Sequence, residues 1–159
     1  MTTHSHDDLA RDVLTRGLAA IGLLGIALIH LLDAIPTFPQ LPYKGGLYVG
    51  LIVSAIALAG WLVHGASRRA WSAAAGLVAA AMLAFTYSRT VGLPGAADDV
   101  GNWSEPLGVA ALFVEVAVLS VSAYALAAVM PAIDRAPRTA ARRGDLVVHT
   151  QVLGTGRQR

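Results

Sequence analysis

No cysteine occurs among the 159 residues of this chain. Disulfides, thiolate zinc sites, iron–sulfur ligation and cysteine nucleophiles are thereby excluded, and the redox compartment stays open. Methionine is scarce too: Met1, Met82 and Met130 are too few for a soft copper(I) site. Charged residues make up 14% of the chain, against about 25% in an ordinary soluble domain. Hydrolytic signatures are missing: there is no Gly-x-Ser-x-Gly, no His-Glu-x-x-His and no phosphate-cradling glycine loop at a helix start. These gaps point away from an enzyme, and no cofactor is expected.

What the chain has in quantity is apolar sequence, at 55% hydrophobic residues and a mean hydropathy of +0.59. It falls into four runs, at roughly 17–32, 45–63, 71–87 and 107–129. Each approaches or exceeds the ~20 residues that cross a ~30 Å hydrocarbon layer as a helix. The expected fold is an all-α membrane protein: a four-helix antiparallel bundle with helices at about 14–33, 45–64, 71–90 and 105–129. The first run has a charged start and an apolar centre, like a signal peptide. It continues into His30-Leu31-Leu32-Asp33 without a small-residue cleavage site, so it reads as a retained helix.

The formal charge of +2 hides an asymmetry. Arg11 and Arg16 precede the first run, Arg68 and Arg69 fill the second loop, and Arg135, Arg138, Arg142 and Arg143 follow the fourth run. The other loops hold Lys44 against Asp98, Asp99 and Glu105. Arginine bias of this kind places both termini in the cytoplasm and the chain in the cell membrane, crossing it several times. The basic tail, residues 130–159, suits anionic lipid headgroups. No aromatic or helix motif accompanies it to suggest nucleic acid.

Residues 1–13 read as a mobile polar segment, with His4 and His6 solvated. Pro36, Pro39 and Pro42 predict a stiff, extended crossing over 34–44. The short stretch 64–69 makes helices two and three antiparallel neighbours. In the third loop, Ser104 is the expected helix cap, Glu105 favours the positive end of the dipole, and Pro106 fits the first turn. Trp103 is expected at headgroup level. In the tail, residues 146–153 have the β-branched content of an isolated strand, which without partners stays disordered or orders on binding.

Close packing in lipid relies on small residues. Ser72, Gly76, Ala80, Ala84 and Ser88 recur every fourth residue, predicting a helix–helix seam on the third helix, and Gly46 and Gly50 form a Gly-x-x-x-Gly pair on the second. Such stripes serve internal packing, or a homo-oligomer or membrane-protein partner.

Ionisable groups in apolar runs are costly and mark candidate sites. His30 and Asp33 share one face of the first helix, Arg89 closes the third, and Glu115 lies ~10 Å into the fourth. With Glu105 they form a candidate polar network. The bland reading pairs Arg89 with Asp33 first and Glu105 second, and Glu115 with His30 or a tyrosine. A sharper reading is a proton or ion pathway. His30, Asp33, Glu105 and Glu115 are also candidate metal ligands by their hardness, without a tight ligand motif. His30 and His64 fall at opposite helix ends, about 20 Å or more apart, so they cannot share a haem iron.

The strings Ile29-His30-Leu31-Leu32-Asp33 and Arg89-Thr90-Val91-Gly92-Leu93-Pro94-Gly95, followed by Asp98 through Gly108, resemble those of a group of small four-helix membrane proteins of high-G+C Gram-positive bacteria. The alanine- and arginine-rich, lysine-poor composition is similar. The resemblance covers residues 17–129 and implies a fold and a location, with no activity or catalytic residues carried over. The expected role is a non-enzymatic accessory or scaffold component; the alternatives are a small ion- or proton-coupled transport protein using the His/Asp/Arg/Glu cluster and, further, a membrane subunit of a redox complex.

Overall fold

The computed structural model describes residues 3–128. Helix α1 spans Thr3–Gln40, α2 Pro42–His64, α3 Arg68–Thr90 and α4 Pro106–Ala128. One turn of 3-10 helix, Ala97–Asp99, lies between α3 and α4. All four helices are long and apolar enough to cross a membrane. The 23 residues of α2, α3 or α4 extend about 35 Å at ~1.5 Å per residue, against a ~30 Å hydrocarbon core. The basic segment 130–159, with its expected strand, lies outside the described residues.

Proline does not break the chain where the sequence predicts an extended crossing. Pro36 and Pro39 lie inside α1, and Leu41 alone separates α1 from α2. Proline's fixed φ is itself helical, so each ring deletes one N–H without forcing the chain open. The ladder carries on through the turn: Leu41 N–H donates to the Thr37 carbonyl at 2.8 Å and Gly45 N–H to Leu41 at 3.0 Å. Pro42 then opens α2, where its missing N–H is not needed. Gly45 lies against Phe38, with no room for a Cβ.

The other helix ends also depart from expectation. Helix α1 starts at Thr3 rather than near residue 14, and its polar turns carry an Arg16–Asp12 pair at 2.5 Å. Ser67 caps α3, accepting from Ala70 N–H at 3.2 Å. Helix α3 ends where Val91 and Gly92 N–H both reach the Tyr87 carbonyl, and Gly92 takes a φ of +89° that only glycine adopts freely. At the start of α4 the cap is Glu105, not Ser104. Its carboxylate accepts from Leu107 N–H at 3.1 Å and Gly108 N–H at 2.7 Å. The longer side chain folds back onto the first turn and brings negative charge to the positive helix end.

Alanines dominate the buried apolar residues, and many large apolar side chains are exposed. Ala19, Ala20, Leu23, Ile26 and Ala27 form the buried stripe of α1, and Ala111, Glu115, Val118, Ser122 and Ala125 that of α4. Both stripes follow the three- and four-residue spacing of one helix face. Leu18, Ile21, Ile56, Leu83 and Phe113 point outward and are more than half exposed. Such a large apolar exterior is what a multi-pass membrane protein presents to lipid. Gly22 meets Val118 so closely that a Cβ there has no room, which fixes the approach of α1 to α4.

The predicted seam on α3 is not its buried face. Ser72, Gly76, Ala80 and Ala84 are exposed, while Ala70, Trp71, Ala74 and Val78 are buried. A Cβ added at Gly76, Gly46 or Gly50 would meet nothing within 4 Å. Only Ser88 of the stripe is buried. The buried face lies a residue or two away from the stripe, and two of its four residues are themselves alanines, so small size alone does not select the contact face.

Candidate ligand cavity and its ion-pair cluster

Four elements bring charge together at one end of the helices. Lys44 stands in the first turn of α2, Arg89 in the last turn of α3, Asp99 in the 3-10 turn, and Glu105 at the head of α4. Lys44 Nζ lies 2.6 Å from Asp99 Oδ2, Arg89 Nη1 2.7 Å from Asp99 Oδ1, and Arg89 Nη2 3.4 Å from Glu105 Oε2. Arg89 is 7% exposed. Its Nη1 also donates to the Asp99 carbonyl at 3.3 Å, and its guanidinium lies 4.8 Å from the centre of the Phe85 ring. Trp103 meets that ring edge-on at 6.2 Å. The loop folds back far enough for Gly101 N–H to donate to the Arg89 carbonyl at 2.9 Å, and Tyr43 donates its hydroxyl to the Pro94 carbonyl at 2.5 Å.

Partial burial opposes ionisation of Asp99, but the Lys44 hydrogen bond and charge, reinforced by Arg89, outweigh it. They hold the carboxyl below its ordinary value. Asp99 is therefore the charged centre of the cluster, and it corrects the sequence expectation that Asp33 is the first partner of Arg89. Asp33 makes no ion pair with any described residue, and Glu105 keeps the second place assigned to it. The signal for Asp99 was its loop of opposite charge to Lys44. What hid it was the fold of that loop, set by positive φ at Gly92, Gly95 and Gly101.

Beside the cluster lies a cavity of about 470 Å³. Its floor and walls are mostly apolar, with Leu47 and Leu51 from α2, Leu77 and Ala81 from α3, and Ala111 from α4. Ala80, Ala84 and Ser88 face it, so the small residues predicted as a seam border open space instead. All five residues of the expected polar network line it: His30, Asp33, Arg89, Glu105 and Glu115. The network itself is not continuous. His30 Nδ1 sits 2.9 Å from the Ile26 carbonyl of its own helix, and its ring meets Tyr48 edge-on at 5.5 Å. Neither His30 nor a tyrosine hydrogen-bonds Glu115. Glu115 is 2% exposed and its Oε2 has no hydrogen-bond partner among the described residues.

No three His, Asp or Glu side chains lie close enough to hold a metal ion among the described residues. His64 is exposed, bonds the Gly60 carbonyl of its own helix at 2.8 Å and does not line the cavity. It shares no site with His30. Comparison with protein-family models, with curated proteins and with solved structures finds no match for this chain.

Proposed function

We propose that this chain is a small ion- or proton-coupled transport protein, an antiparallel four-helix bundle in the cell membrane with both termini cytoplasmic. One observation carries the reading: the carboxyl of Glu115 is buried beside a cavity with no partner for Oε2. Ionisable groups inside a membrane segment are costly, and those kept for structure are paired. Arg89, Asp99, Lys44 and Glu105 follow that rule, so they serve as the structural clasp at the helix ends. Glu115 does not follow it, which favours a group that takes up and releases a proton or a cation. The arginine distribution supports the orientation.

The test is a flux measurement on purified protein in proteoliposomes with a trapped pH-sensitive dye. The wild-type chain should carry protons down an imposed gradient, and Glu115→Gln should reduce that flux at least tenfold. Flux in Glu115→Gln equal to wild type removes the reading.

A second reading, a non-enzymatic accessory or scaffold component, is favoured by the exposed stripe Ser72, Gly76, Ala80 and Ala84. Ser72 and Gly76, which do not line the cavity, leave room for a helix of another chain to approach closely. On that reading the basic tail contacts anionic headgroups, and a membrane protein copurifies in fixed ratio from gently solubilised membranes.

A further inference from the structure

We propose that the cavity binds an amphiphilic organic monocation, a protonated amine or an onium centre on an apolar body, with Glu115 as its counter-ion. This rests on the transport reading and names the substrate class it lacks. Charge sets the sign of the ligand. Lys44 and Arg89 are the cationic lysine and arginine side chains lining the cavity, against the carboxyls of Asp33, Asp99, Glu105 and Glu115. The two cations are spent on Asp99 and Glu105. Acid is left over, and Glu115 is the deeply buried part of it.

Position sets the shape. Glu105 heads α4, and Glu115 follows Pro106 by nine residues, about 14 Å along the helix at ~1.5 Å per residue. A ligand charge that reaches Glu115 therefore leaves the polar helix ends and passes between Leu47, Leu51, Leu77 and Ala111. A strongly hydrated ion loses its water there without replacement, whereas a cation screened by apolar groups gains wall contacts on the way. A volume of about 470 Å³ falls in the range of small-molecule pockets, ~300–1,000 Å³. A proton alone has no use for that space. A bare metal ion needs several close oxygen or nitrogen ligands, and no three acidic or histidine groups gather among the described residues.

The experiment measures binding of tetraphenylphosphonium to the detergent-purified full chain by equilibrium dialysis, with tetraphenylborate as an anion of the same shape. The phosphonium should bind at least tenfold more tightly than the borate. Glu115→Gln should weaken phosphonium binding at least tenfold, and Glu115→Asp should recover part of it, which separates loss of charge from loss of fold. Ala84→Leu, which fills the cavity from an exposed position, should weaken binding with the carboxyl intact. Equal binding of the two ions, or phosphonium binding unchanged in Glu115→Gln, overturns the proposal. Absent phosphonium binding with Glu115-dependent proton flux overturns it and leaves the transport reading standing. Absence of both removes both.

Discussion

Asp99 receives Lys44 on one carboxylate oxygen and Arg89 on the other. Asp99→Asn would leave the buried Arg89 with Glu105 as its one carboxylate among the described residues, at 3.4 Å. Removing one partner of a largely buried, hydrogen-bonded pair costs roughly 2–3 kcal/mol, so the variant should melt well below wild type at neutral pH. Acid should erase the difference. The Asp99 carboxyl ionises below its ordinary value in the folded chain. Its stabilisation is complete above the unfolded value near ~4 and is lost as pH falls through the lower folded one. A gap between wild type and Asp99→Asn that stays constant from neutral pH into acid would contradict the assignment. In double-mutant cycles, Arg89→Ala should couple to Asp99→Ala and be additive with Asp33→Ala. Arg89 and Glu115 were legible in the sequence because a charge stands out in an apolar run. The choice of Asp99 over Asp33 was not, since reckoning depth along straight helices says nothing of a loop turned back by left-handed glycines.

Two glycines on different helices separate tight packing from lipid exposure. Gly22 faces buried Val118 without room for a Cβ, so Gly22→Ala should cost about 1–3 kcal/mol by overpacking. Gly76 has nothing within 4 Å, so Gly76→Ala should be neutral or stabilise by up to about 1 kcal/mol through helix propensity. Thermal melts of the two variants in one detergent check both. A Gly76→Ala variant that melts lower than Gly22→Ala would restore the four-residue stripe as the packing seam. The four apolar runs led directly to four helices, because length and apolarity alone decide them. Composition could not choose which face of α3 is buried, since small residues tolerate contact without requiring it. The prolines misled because their fixed φ is itself helical, so Pro36 and Pro39 each remove one donor without ending α1.

At the scale of the molecule, the arginine bias and the helix connections make a topology that can be checked in cells. In this cysteine-free chain, single cysteines at Ser67 and Ala97 report the two kinds of connection. A membrane-impermeant thiol reagent added to intact cells should label position 97 and spare position 67. The reverse pattern would invert the orientation and put the cavity's clasp on the cytoplasmic side. The clasp and the cavity have opposite energetic characters. Lys44, Asp99, Arg89 and Glu105 hold helix ends together, while Glu115 sits buried with an oxygen that has no hydrogen-bond partner among the described residues. A group retained for function at the expense of stability should be replaceable with a gain. The melting temperature of Glu115→Leu in detergent tests this most directly. The chain should become more stable, by on the order of 1–3 kcal/mol, as the unpaired carboxyl is removed. A lower melting temperature than wild type would make Glu115 a structural residue and contradict the account.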